Sequence, residues 1–405
     1  MGVRGWLLRL AARRPRVLVV ACPYGTRARL LVEAELDRRG WPVALSPAEA
    51  TVMVVCGVPA PGEPAQAVER VWQSLPGPRA QVRLTARTGV SEVTAALDRA
   101  VTALGDETTH LADPHDDPGR PGGGGHGGDG HGGDGHGGHG HGGHGHGGHH
   151  EHGMGAPGGV AMAGRGDDRD GLKLDRLHVP LGPVLADWPA GLVVETVLQG
   201  DLIQEATVRA LPPGESGVAF WDDPGWGPAG VGGGEVARRR AAGRLDSLQR
   251  LLGVAGWPAA AREARRLRDR LLAGAEPAGV SRDYDRFARR VRRSAVLRWM
   301  LRGLGVVEGG PGVPEWMRGD VLDRAYGWLD RAREALGEIG DHRPLPRPSP
   351  RAGRGRRGGW EETGATVALL PGLLAGAELA VARLIVASLD PDLERLPTGP
   401  AAGGG

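Results

Sequence analysis

Arg16-Val17-Leu18-Val19-Val20-Ala21 runs directly into Cys22-Pro23-Tyr24-Gly25, and a helical spacing through Leu30, Leu31, Ala34 and Leu36 follows until Gly40. The β-branched run reads as a buried strand, the Pro/Gly tetrapeptide as a turn, and the apolar spacing as a helix stopped by glycine. Outward from this unit the alternation continues. Short strands are expected at residues 42–45, 51–55 and 80–85, and helices at 67–75 and 91–104, with a turn at Ser46-Pro47. Strands alternating with helices at this spacing give a small doubly wound parallel sheet, an α/β domain over residues 1–106. Ligands of such sheets sit beyond the carboxyl ends of the strands. Cys22 and Cys56 each fall at such an end, so they are candidate site residues; the plainer alternative is a pair of buried structural cysteines.

Residues 107–163 interrupt this pattern with a glycine and histidine run that is densest over 122–152 and has no apolar side chain between Gly122 and His152. Such a segment cannot bury enough surface to offset its ordering entropy and is expected to be a disordered linker. It is also a candidate metal site, because imidazole is the commonest protein metal ligand. His126, His131, His136, His139, His141, His144, His146, His149, His150 and His152 recur at spacings that glycine makes easy to fold around one ion. Without preorganised geometry the tract is expected to follow the general affinity order that favours nickel, zinc and copper, and to release metal as imidazole protonates near pH ~6.5.

After the linker the period changes. Residues 164–234 carry short apolar runs around Leu192, Val197, Leu202 and Val208, with a turn at Gln199-Gly200-Asp201, and read as a short antiparallel β region. Residues 235–395 read as a mostly helical bundle with breaks at 253–258 and 277–279, helices at 320–339 and 367–389, and a disordered Pro/Arg/Gly stretch within 341–362; residues 396–405 form a flexible tail. The fold class expected for this part is α+β. The aromatic loop at residues 220–226 reads as a surface anchor or a partner contact.

Composition narrows the options. The 405 residues carry a formal net charge of +2, and of the 50 basic residues only Lys173 is lysine. Residues 235–302 hold 18 arginines against 7 acids, which points either to solvated helix faces or to an acidic partner; no nucleic-acid module is visible, and none is expected as a partner. Two cysteines are too few for a disulfide scaffold, so a reducing, cytoplasmic setting is expected. The longest apolar run, 367–389, contains Glu378 and Arg383 near its middle and reads as a buried or amphipathic helix, not a membrane span. Membrane contact is therefore expected only through partners. There is no Gly-rich phosphate loop, nucleophile elbow or His-Glu-x-x-His.

Two ordered sets of motifs resemble a known family. Ala44-Leu45-Ser46-Pro47-Ala48-Glu49-Ala50-Thr51-Val52-Met53-Val54-Val55-Cys56-Gly57, after a strand ending in cysteine, is similar to a signature of the small, cluster-carrying subunit of respiratory complex I and membrane-bound nickel–iron hydrogenases. The stretch Val68 to Pro78 resembles that subunit's following helix end. Behind the linker, the turn Leu198-Gln199-Gly200-Asp201, the segment Leu248-Gln249-Arg250-Leu251-Leu252-Gly253-Val254 and the segment Leu384-Ile385-Val386-Ala387-Ser388-Leu389-Asp390-Pro391 resemble the large subunit that sits beside it.

The resemblance implies a four-iron cluster on the first half, and the chain departs from it. Cys22 is followed by Pro23, where the family has a second cysteine, and Leu84-Thr85-Ala86-Arg87-Thr88 stands where a further ligand is expected. A cubane cluster needs four thiolates or equivalents, so no iron–sulfur cluster is expected. The paired Cys-x-x-Cys motifs of the hydrogenase large subunit are missing, and His178 is the one histidine near the loop that faces quinone in the complex I counterpart. The expectation is a fused, degenerate, accessory subunit at the cytoplasmic face of a complex I-like (NADH-quinone oxidoreductase or hydrogenase-related) assembly, with membrane-arm or other subunits as partners and no certain cofactor. Two alternatives stand beside it: a nickel- or zinc-handling protein, and an active quinone-reducing subunit built on Cys22, Cys56 or His178.

Overall fold

A computed structural model describes residues 14–106, 164–167, 173–222, 231–340, 343–345 and 359–396. The histidine tract and the segment 346–358 lie outside the described residues. In the first half, β1 (Val17–Ala21), β2 (Val52–Cys56) and β3 (Ala80–Leu84) form a parallel sheet in that order, with Val17 opposite Val52 and Ala21 opposite Cys56. The helices are α1 (Thr26–Arg39), α2 (Glu63–Gln73) and α3 (Val90–Leu104). Side chains alternate across a strand, and here the alternation splits the core in two. Val17, Val52, Val54, Cys56 and Val82 pack with α1 and α3 on one face, while Leu18, Val20, Met53 and Val55 pack with Val68 of α2 on the other. All five residues of β2 are buried, as a strand covered on both faces requires.

The strand expected at 42–45 is reduced to one parallel bridge, Val43 to Val17, on the outer side of β1. Pro42 has no N–H to extend a ladder, and Leu45 is already exposed. This bridge sets the topology. The chain leaves β1 towards Val43 and leaves β2 towards β3, so the winding direction reverses between β1 and β2.

The second half opens with an antiparallel sheet, β4 (Gly164–Asp167), β5 (Lys173–Leu181), β6 (Leu192–Gln199) and β7 (Leu202–Ala210), in sequential order. The expected β6–β7 hairpin is present; Gly200 adopts φ 64°, which glycine reaches without strain. Leu192, Val194, Leu198 and Ile203 cover the helices. A two-residue strand β8 (Val231–Gly232), paired with β9 (Pro344–Leu345), leads into α4 (Gly233–Val254). Then come α5 (Pro258–Leu272), α6 (Pro277–Arg293), α7 (Ala295–Leu301), α8 (Val321–Glu338), α9 (Gly359–Leu374) and α10 (Leu379–Leu389). The α/β first half and the α+β second half agree with the sequence reading.

Three helix boundaries differ from expectation. Pro277 begins α6 instead of breaking a helix, because the N1 position needs no donor; the Glu276 carboxylate caps it by accepting from the amides of Ala278 and Gly279. Ser294 both ends α6 and caps α7, its hydroxyl accepting from Leu297 N at 3.2 Å. The apolar run at 367–389 is two helices. Gly376 N donates to Ile203 O (2.8 Å), Ile203 N to Ala377 O (2.9 Å) and Leu379 N to Asp201 O (2.9 Å), so the interruption serves the free edge of β7. No helix among the described residues is long and apolar enough to cross a membrane.

Two glycines test this packing in opposite directions. A Cβ on Gly305 would lie 2.6 Å from Ile385 Cγ1 of α10 at a backbone φ of 52°, whereas one on Gly337 in α8 would meet nothing within 4 Å. Gly305→Ala is expected to cost about 1–3 kcal/mol, and Gly337→Ala to stabilise by about 0.5–1 kcal/mol. Denaturant midpoints of the two variants check both signs.

Candidate functional site

Cys22 directly follows β1 and Cys56 ends β2, so the reversal of winding places both cysteines at the crevice where open α/β sheets hold ligands. The sequence expectation that they approach one another is met at the backbone: Cys22 N donates to Cys56 O at 2.8 Å. Both thiols are free and buried. Burial, aided by the Glu215 charge, pushes Cys22 up to about 12, and burial pushes Cys56 higher still. Each is a protonated thiol at neutral pH and so a poor nucleophile.

The crevice itself is filled by the chain. A Cβ on Gly25 would lie 2.0 Å from Cys56 O, and one on Gly57 would lie 3.0 Å from the Gly25 Cα and 3.2 Å from the Cys22 Cβ. The second half closes in from above. Gly214 passes so near that a Cβ there would be 2.3 Å from Val58 O, and one on Gly191 would be 2.8 Å from Pro23 Cγ. Glu215 accepts from the amides of Val58 and Ala86, both at 3.3 Å. Glu394 accepts from Thr26 Oγ1 (2.8 Å) and Phe220 N (3.1 Å), and its carbonyl accepts from Tyr24 OH (3.3 Å).

The donors do not fit the family's cluster. The chain has two thiols, and the third stretch is a closed turn in which Thr88 Oγ1 accepts from Thr85 N at 2.9 Å. His178 lies elsewhere, exposed within β5 opposite Val197 of β6, in a strand and not a loop. The structure therefore brings Cys22 and Cys56 together and leaves His178 apart. The ten histidines between His126 and His152 lie outside the described residues.

What joins the halves is a buried ionic cluster. Asp246 of α4, fully buried, accepts from Arg29 of α1 (2.7 and 3.1 Å), Arg268 of α5 (2.6 Å) and Arg250 (3.2 Å). Glu33 of α1 accepts from Arg29 (3.0 Å) and Arg268 (2.7 Å). Arg250 continues to Asp390 at 2.8 Å, which also accepts from Ser247 at 2.6 Å. Burial opposes ionisation of both carboxyls, but the surrounding arginines win: Glu33 is held at about 2 and Asp246 lower still. The arginine excess of residues 235–302 thus finds part of its acidic partner inside the molecule.

Beside this cluster lies a cleft of about 1300 Å3 lined by both halves, including Trp41, Asp187, Trp221, Arg244 and Asp392; neither cysteine lines it. Asp187 (φ 57°) is pushed up to about 6 by burial and presses on Gly253, where a Cβ would lie 2.3 Å from its Oδ2. Burial, with the Glu394 charge, raises Asp392 to about 7 even though Arg395 Nε lies 3.3 Å from its Oδ2. Arg244, lowered to about 10 by burial, makes no hydrogen bond or ion pair among the described residues. The arrangement can hold a polar ligand and exchange protons near neutral pH; the described residues contain no cluster of three or more potential metal ligands. Sequence reasoning singled out none of these three groups. Asp187 and Arg244 sit in no motif, and Asp392 stands immediately beyond the segment ending Leu389-Asp390-Pro391.

No family model matches the chain, and no curated protein matches it. Eighteen chains of solved structures do. One belongs to the membrane-bound sulfane sulfur reductase (MBS), an archaeal respiratory membrane complex: 14% identical, covering 54% of this chain and 98% of that one, with a TM-score of 0.41.

Two variants follow from the geometry. Asp246→Asn leaves Arg29 and Arg268 buried with a weaker acceptor and is expected to cost about 3–5 kcal/mol. Because the folded pKa values of Asp246 and Glu33 are depressed, their contribution is complete at neutral pH. It is lost as pH falls from about 4.5 through about 2; denaturation across this range should show the wild-type loss and a flatter profile for the variant. Asp187 has the opposite sign. Its raised pKa removes stability as pH climbs from its unfolded value of 3.8 through about 6. Asp187→Asn should therefore stabilise the protein more at about pH 8 than at about pH 4, read as a pH-dependent shift in Tm.

Proposed function

We propose that this chain is a fused, cluster-less counterpart of the small and large subunits of the complex I and membrane-bound hydrogenase family, acting as an accessory component of a membrane-associated redox assembly. The observation that carries this reading is the crevice between β1 and β2. The ordered motifs place the family's cluster there, yet the crevice holds two protonated thiols under the backbone of the second half. The buried Arg29–Asp246–Arg268–Glu33 cluster supports the rest, since it mates the two halves as a fused pair of subunits would require. Docking partners are the remaining subunits of that assembly, met at the cytoplasmic face.

Iron and acid-labile sulfide assays with paramagnetic resonance on anaerobically purified protein are expected to show no stoichiometric cluster. A full complement of iron per chain would sink the reading of lost redox chemistry. Purification of the tagged chain from native membranes is expected to recover integral membrane subunits; recovery of the chain alone would sink the docking.

The spacing of His126 to His152 favours a second property, nickel or zinc buffering by the tract. Calorimetry on the full chain and on one lacking residues 122–152 separates the two, because unchanged metal uptake after deletion removes the tract from the account.

A further inference from the structure

The helix pair α6–α7 carries a surface that the accessory-subunit reading does not use. Helix α6 buries Val280, Tyr284, Phe287 and Val291, which share one face at helical spacing. Arg282, Arg286, Arg289 and Arg293 fall on the opposite face, and all four are exposed. Ser294 then turns the chain into α7, whose Leu297 and Leu301 are buried. Its outer face presents the opposite: Trp299 is 83% exposed and Val296 is 66% exposed, with Val306 just beyond at 54%.

Trp299 is the most exposed large apolar side chain among the described residues, and two exposed arginines, Arg298 and Arg302, flank it. Between residues 282 and 306 the sequence has eight arginines and two acids, Asp283 and Asp285, a local charge of +6. Some of this is consumed: Arg286 pairs with Asp283, Arg290 with Glu263 and Arg292 with Asp330. Arg289, Arg293, Arg298 and Arg302 make no ion pair or hydrogen bond through their side chains among the described residues. An indole left in water costs hydrophobic free energy, and the four unpaired guanidiniums of the helix pair carry positive charge that no ion pair among the described residues offsets. Both are answered by a surface that is anionic outside and apolar beneath.

We infer that α6 and α7 form a direct docking surface for an anionic lipid bilayer. Trp299 and Val296 enter the headgroup layer, and Arg289, Arg293, Arg298 and Arg302 bind lipid phosphates. Tryptophan favours this depth because its ring is amphipathic, and arginine pairs with phosphate oxygens through its forked donors. Charge complementarity selects the bilayer over a neutral apolar partner. The contact is peripheral, in keeping with the absence of a spanning helix among the described residues. It stands independently of the accessory-subunit reading, which places membrane contact on partners.

The test is flotation of the purified full chain with phosphatidylcholine vesicles, with and without phosphatidylglycerol. Binding is expected only to the anionic vesicles and should weaken as salt rises. Trp299→Ala, and separately Arg298→Glu with Arg302→Glu, should each lower the bound fraction about tenfold or more. These side chains lie on the surface, so unchanged circular dichroism and Tm would show that the fold survives. Arg70→Glu, on the exposed side of α2, should leave binding unchanged. No flotation with anionic vesicles would overturn the proposal, as would flotation that the α7 variants leave intact. Variants that keep lipid binding but lose capture of a membrane subunit would also overturn it, assigning the surface to a protein instead.

Discussion

The carboxylate of Asp246 receives hydrogen bonds from three arginines, and the relation between the two halves depends on that grip. Arg29 comes from the first helix of the parallel-sheet half, while Arg250 and Arg268 come from the helical half. A buried acid so surrounded stays ionised, and removing any one partner strands charge in a medium that solvates it poorly. Glu33 balances the second pair of guanidinium contacts from the other side. Hydrophobic burial builds each half's core separately, and the ionic cluster supplies directionality between them, because hydrogen-bonded charges tolerate little sliding. The exposed pair between Arg209 of β7 and Glu63 of α2 adds one of several further points of registration, worth far less in water.

The sheet half was legible because its signals are local. A β-branched run, a Pro/Gly turn and a helical spacing within about twenty-five residues report the strand–helix unit directly. The split of the apolar run at 367–389 was hidden because hydrophobicity stays continuous through it, and the break answers to the backbone of Ile203, far away in sequence. The ionic cluster was hidden for a related reason. Arg29 and Asp246 are 217 residues apart, and in a chain with forty-nine arginines no single one stands out. Cys22 and Cys56 were found together because topology, and not chemistry, places strand ends side by side. Asp187 and Asp392 carry shifted pKa values only because of what surrounds them.

The crevice between β1 and β2 is closed by the chain's own backbone. Glycines at 25 and 57 let two backbone turns press together, and Gly191 and Gly214 let the second half press on both. Space that this topology ordinarily leaves for a ligand is occupied by peptide. The open volume lies beside it, between the halves, where Asp187, Arg244 and Asp392 face the cleft.

The contact between Glu394 and the turn after Cys22 spans almost the whole described chain. Synthesis runs from the amino end, so the parallel sheet can form while the rest is still being made. Its two cysteines then pack into the sheet's own cores, and residues 191, 214 and 394 add the outer cover of the turn later. The last residues of the described chain thus complete the cover over its first turn, and a chain stopped short of Glu394 would lack the acceptors that Thr26 and Tyr24 use there.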